Sequence, residues 1–143
     1  MLSGSMKTIL VAAATFGLLV TANSAASADA PTLTVTPSTD LVDGQSVAAA
    51  VSGFKAGATV FVSECAVVAP NTIACDAPNA VQLTTDASGN GSTSVTAHKS
   101  FTGYLGDGTP HGPVDCATVT GGCLIAAGDS DHVDGALAPI TFQ

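Results

Sequence analysis

The chain has no arginine, no tryptophan and a combined Lys and Arg count of only 3 in 143 residues. Set against 11 acidic residues, this leaves a formal net charge of −8 at pH 7. Electrostatic attraction to phosphate backbones and to anionic lipid is carried by Lys and Arg. Their scarcity excludes a nucleic-acid-binding face, and no direct binding to DNA is expected. Aromatics are also sparse, with Phe54, Phe61, Phe101, Tyr104 and Phe142 spread along the domain. Its core must therefore be built from Val, Ala and Leu, and so thin a core benefits from covalent support. Strong helix signals are missing. Nothing beyond residue 20 is apolar for the ~20 residues that a membrane span needs.

What is present begins with a leader. Lys7 is the only charge before Asp29, and the uncharged run Thr8 to Val20 follows it. Small and polar residues then lead to Ala26-Ser27-Ala28. A positive start, a short apolar centre and an A-x-A ending are the three parts of a secretory signal peptide. Residues 1–28 are therefore expected to be removed, with translation starting at Met1 or Met6. The remaining 29–143 would form one secreted, extracellular domain, without membrane attachment and more negative by the loss of Lys7. Its high like charge favours a monomer.

Within 29–143 the pattern is that of strands. Leu33 and Val35 alternate with Thr34 and Thr36, as in a half-buried strand. Pro37-Ser38, Asp43-Gly44, Ser52-Gly53, Ser88-Gly89-Asn90-Gly91, Asp107-Gly108 and Gly121-Gly122 punctuate the chain with turns. Strands are expected near 31–36, 46–52, 58–65, 80–85, 92–98, 113–118, 123–127 and 137–142. The Ala48-Ala49-Ala50 run has helical composition, but Val47 and Val51 flank it between two turn signals. About seven strands in a domain of this length predict an all-β, immunoglobulin-like Greek-key sandwich.

The 4 cysteines allow three connectivities. Spacing favours local pairs. Cys65 and Cys75 enclose a turn at Pro70-Asn71, and Cys116 and Cys123 enclose Thr120-Gly121-Gly122. Each such short loop would contribute about 2–3 kcal/mol in the chain-entropy estimate. Two pinned hairpins would make rigid walls for a pocket. Zinc is the competing reading, but C-x2-C spacings are missing and an exported chain meets an oxidising compartment.

The order of several fragments then resembles a known family. Leu41-Val42-Asp43-Gly44-Gln45-Ser46-Val47, Glu64-Cys65-Ala66-Val67-Val68, Ile73-Ala74-Cys75-Asp76, Ser100-Phe101-Thr102-Gly103-Tyr104, Asp107-Gly108-Thr109-Pro110 and Val114-Asp115-Cys116-Ala117-Thr118 follow one another as in the neocarzinostatin family. Its members are apoproteins of enediyne antibiotics. The resemblance spans essentially all of 29–143, with both cysteine pairs in register. It implies a seven-stranded sandwich whose two disulfides border a cleft. It also implies a carrier that holds a hydrophobic enediyne chromophore non-covalently and releases it to cleave DNA, with no other cofactor.

The resemblance further implies ligand contacts at Cys65, Val67, Ile73, Cys75, Ala80, Tyr104, Gly106, Leu124 and Gly128. Val67 stands where the family's type member has an aromatic, and Ala80 and Gly106 stand where it has phenylalanines that stack on or face the chromophore. Leu124 and Gly128 replace polar contacts, while Tyr104 keeps its ring. Stacking contributes about 0.5–1.5 kcal/mol beyond burial, so this cleft should be wider, less aromatic and suited to a different guest.

Two other constellations carry less. His98, His111 and His132 sit in separate segments and no serine lies in a G-x-S-x-G elbow, which argues against a hydrolase. Gly128 to Gly135 concentrates carboxylates, but without the 1-3-5 spacing and terminal glutamate of a calcium loop. It reads as a solvated turn. A secreted immunoglobulin-like interaction module with no small ligand is the alternative to the carrier, since a fold alone does not fix function.

Overall fold

The computed structural model describes residues 30–143. The leader reading at 1–28 lies outside them. Among the described residues ten strands are present: β1 (Thr32–Thr36), β2 (Gln45–Ser52), β3 (Thr59–Ala69), β4 (Thr72–Cys75), β5 (Val81–Thr84), β6 (Gly91–Ala97), β7 (Ser100–Tyr104), β8 (Pro110–Asp115), β9 (Cys123–Asp129) and β10 (Gly135–Pro139). One 3-10 turn, Ala77–Asn79, joins β4 to β5. No helix among the described residues is long and apolar enough to cross a membrane.

The strands form two sheets, one ordered β1-β2-β6 and the other β10-β9-β3-β4-β7-β8, with β5 also paired to β3. The all-β sandwich is as expected, with ten strands where eight ranges were expected. The extra ones are short. β4 is the return arm of the first cysteine hairpin, and β7 pairs with β8 through Phe101 and Val114. The strand expected at 113–118 instead ends at Asp115. There the Asp115 carboxylate accepts the Ala117 N–H, and its carbonyl accepts those of Thr118 and Val119. A side chain offering the backbone this alternative terminates the ladder.

Alternation places the core. Val47, Ala49 and Val51 of β2 point inward while Ser46, Ala48 and Ala50 face out, so the alanine run is strand, not helix. On β3 the even residues Val60, Val62, Glu64 and Ala66 are buried between the sheets. Their odd neighbours Phe61, Ser63, Cys65 and Val67 therefore take the opposite face. Val95, Ala97, Phe101, Val114, Ile125 and Ala127 complete one apolar cluster. Small side chains fill it, as the shortage of aromatics requires.

Candidate functional site

The outer face of β3 and β9 carries the site. Antiparallel pairing sets Phe61 opposite Gly128, Ser63 opposite Ala126 and Cys65 opposite Leu124. The β3–β5 pairing sets Phe61 opposite Gln82. The middle of this floor is made of small residues, so space remains above it. Around the floor stand the β3–β4 hairpin with Ile73 and Cys75, the 77–80 segment, Tyr104 to Gly106, and the turn that carries His132. Together they enclose a cleft of about 670 Å³, within the ~300–1,000 Å³ range of small-molecule sites. A depression of similar size near the start of β1 is lined mainly by small polar residues such as Thr32, Ser52, Ser88 and Asn90. Only the first has converging apolar walls.

Its walls are held in place locally. The Cys65–Cys75 disulfide closes the hairpin at directly paired positions. Ser63 Oγ lies 3.1 Å from the Asp76 carbonyl, tying floor to wall. Opposite, the buried Asp129 side chain accepts the N–H groups of Val133 at 2.9 Å and Asp134 at 3.2 Å. That carboxylate therefore builds the turn, with His132 in left-handed backbone at φ 57°. The acidic run at 128–135 folds as a turn closed on itself.

Of the residues singled out in the sequence, Cys65, Ile73, Cys75, Ala80, Tyr104, Gly106 and Gly128 line this cleft. Val67 and Leu124 do not. Val67 pairs with Ile73 on the hairpin beyond the cleft and is 46 % exposed. Leu124 pairs with Cys65 one step past Ala126. Both continue the same sheet face outside the enclosed part. The second disulfide, Cys116–Cys123, also departs from the expectation that both bridges border the cleft. It joins the turn after β8 to the first residue of β9, at the opposite end of that strand from Gly128. With both pairs oxidised, no thiolate is left for zinc.

Sequence reasoning missed Phe61, Gln82, Leu105, Ala126, Asp129 and His132 as lining residues. Phe61 carried a signal: an aromatic at an odd position of an alternating strand, outside the core set. It is 45 % exposed and is the largest apolar surface on the cleft floor. No lysine lines the cleft; its titratable groups are Asp129, His132 and Tyr104. The site thus offers an apolar floor with rings at Phe61 and Tyr104 and no lysine to hold an anion.

The match to known proteins fits this geometry. Residues 33–142 match the model of the neocarzinostatin family. The chain belongs to that family. Among its curated members, the antitumor antibiotic C-1027 apoprotein of Streptomyces globisporus is 46% identical over 121 residues, covering 85% of this chain and 82% of that one. Macromomycin of Streptomyces macromomyceticus is 41% identical over 114 residues, covering 79% and 77%. The solved structure of macromomycin superposes with a TM-score of 0.74 at 40% identity, over 80% of this chain and 100% of that chain. The solution conformation of apokedarcidin gives 0.63 at 35% identity, over 80% and 99%. The neocarzinostatin family thus accounts for the whole described sandwich, cleft included.

Proposed function

We propose that the chain is a secreted carrier apoprotein that binds, stabilises and delivers a hydrophobic enediyne-type chromophore in the cleft over β3 and β9. The observation that carries this reading is the cleft itself: preformed, apolar, and braced by a disulfide across one wall. A preformed site lowers the ordering cost of binding and shields a labile guest from water. Family membership supports the same role, and the C-1027 relative is named an apoprotein, a protein described without its non-protein partner. An interaction module without a ligand would have no use for such a cavity.

The lining points to the guest's chemistry. Phe61 and Tyr104 offer ring faces, and Ala80, Gly106 and Gly128 leave width between them. A neutral or cationic multi-ring molecule fits, while a strongly anionic one would meet the negative charge of the whole chain. In this proposal residues 1–28 are the cleaved leader, 29–143 circulate as an extracellular monomer, and the released ligand, not the protein, damages DNA.

The test is isolation from producing cells in the dark. With no tryptophan and one tyrosine, the polypeptide absorbs little in the near ultraviolet. A co-eluting near-ultraviolet absorber that organic solvent extracts is the expected result. Protein from an enediyne-producing strain that carries no extractable small molecule would overturn the carrier reading. N-terminal sequencing of the same sample should begin at Asp29.

A further inference from the structure

The chain's only glutamate is Glu64, on β3 and turned into the sandwich, where it is 1 % exposed. Its Oε2 accepts the His98 backbone N–H at 2.7 Å. Its Oε1 lies 3.6 Å from the Sγ of Cys116. A Glu64 oxygen and the sulfurs of Cys116 and Cys123 all fall within 4.8 Å of one another, the only such group among the described residues. The sulfurs are bonded to each other, so the group cannot act as a metal site. It is a carboxyl group held against a disulfide.

That disulfide can also be reached. Cys116 is half-buried and lines a separate cavity of about 270 Å³ with Lys99, Gly122, Ile140 and Phe142, away from the chromophore cleft. Such a volume admits a small thiol. Cys123 is 1 % exposed and lies deeper. We propose that Cys116–Cys123 is a thiolation site for a low-molecular-weight thiol, with Glu64 as the acid that protonates the departing sulfur. This inference stands apart from the carrier reading and does not depend on it.

The chemistry balances. A thiolate attacks Cys116 Sγ and forms a new S–S bond, while the Cys116–Cys123 bond breaks and its electron pair stays on Cys123. The proton on Glu64 Oε1, the oxygen left free by the His98 contact, passes to Cys123, and the carboxylate is reprotonated from water. The added thiol is oxidised to half of a mixed disulfide, and Cys123 is reduced to a thiol. Leaving-group protonation is what a positioned acid supplies in this exchange.

Several charges bear on Glu64 and on the approach to it. Burial chiefly pushes its pKa up to about 7, against the His98 N–H, and Asp76 and Asp43 push the same way as burial. The His98 ring faces Asp43 at 3.7 Å. Lys99 and Asp115 line the approach. Acid function should therefore be available around neutral pH and fade above it. Cys123 is the first residue of β9, whose later residues form the cleft floor. Opening this bridge would free that end of the strand.

The experiment treats the chain with 2-mercaptoethanol from acid to alkaline pH, followed by acid quenching and peptide mass spectrometry. Rates are expressed per thiolate. The expected result is an early adduct on Cys116 with Cys65–Cys75 still closed, and a per-thiolate rate that falls as pH rises through about 7. Glu64→Gln should flatten that profile and react about tenfold or more slowly on its acid side, while reduction of Cys65–Cys75 is unchanged. A first adduct on Cys65 or Cys75 would overturn the proposal. So would a flat profile for the parent chain, which needs no variant and decides the matter even if Glu64→Gln does not fold.

Discussion

Glu64 has a second consequence, for stability. Its pKa rises from 4.5 to about 7, first because burial strips the carboxylate of water and further because Asp76 and Asp43 lie near, against the opposing His98 N–H. Below about pH 4.5 folded and unfolded chains are both protonated there, and the stabilising contribution is complete. Between that pH and 7 only the folded state keeps the proton, so stability falls as pH rises through the folded value. From pH 5 to pH 8 the loss should be about 2 kcal/mol, discounted for residual screening. Denaturant unfolding across that range checks it, with Glu64→Gln losing the slope; equal slopes in both chains would refute the assignment. Little in the sequence marked Glu64 as unusual. It follows Ser63 and precedes Cys65 in an alternating run, and only the register of β3 puts a carboxyl inside the sandwich. Phe61 is the converse case, an apolar ring placed outside by the same alternation.

Among the elements, the long alternating strands were legible and the short ones were not. β1, β2 and β6 lie close to their expected ranges: apolar residues alternate with Thr or Ser in β1 and β6, and Val47 and Val51 flank the alanine run of β2 between two turns. β7 lies outside every expected range, and it contains a glycine, Gly103, which has no side chain to mark a strand. In the structure that glycine lets strands approach: a Cβ there would lie 2.9 Å from both Ala74 Cβ and Val114 Cγ2. A residue chosen for closeness between strands far apart in sequence leaves no local signal. The cysteine hairpin was legible, since spacing and the Pro70-Asn71 turn both favoured it. The position of the second bridge relative to the cleft was not, because that depends on which end of β9 meets the floor. This separates the roles of the two bridges. Cys65→Ala with Cys75→Ala should cost roughly 2–3 kcal/mol and also weaken ligand retention, because the hairpin is a cleft wall. Removing Cys116 and Cys123 together should cost a similar amount with a smaller effect on retention measured at a temperature where both variants are folded. Chemical unfolding and ligand off-rates measured side by side check this, and equal off-rates would show that the wall does not need its bridge.

At the scale of the whole molecule, charge sets the protein's relation to the target of its proposed cargo. Beyond residue 28 the only lysines are Lys55 and Lys99, and the Lys99 backbone N–H donates to the Asp43 carboxylate, so that acid stands beside it. Non-specific affinity for duplex DNA grows with the number of phosphates neutralised by Lys and Arg and weakens steeply with salt. Two lysines far apart in sequence, within a strongly acidic chain, provide almost no such neutralisation. The ligand-free protein should therefore show no measurable retention of duplex DNA at physiological salt, by gel shift or fluorescence anisotropy. Loaded protein should damage DNA at a rate set by ligand dissociation, because the carrier repels the duplex and the guest must leave to reach it. Slowing dissociation, by cooling or by excess ligand-free protein that recaptures the guest, should then slow cleavage in proportion. Cleavage that ignores added ligand-free protein would mean that the complex itself docks on DNA, against the sign of its charge.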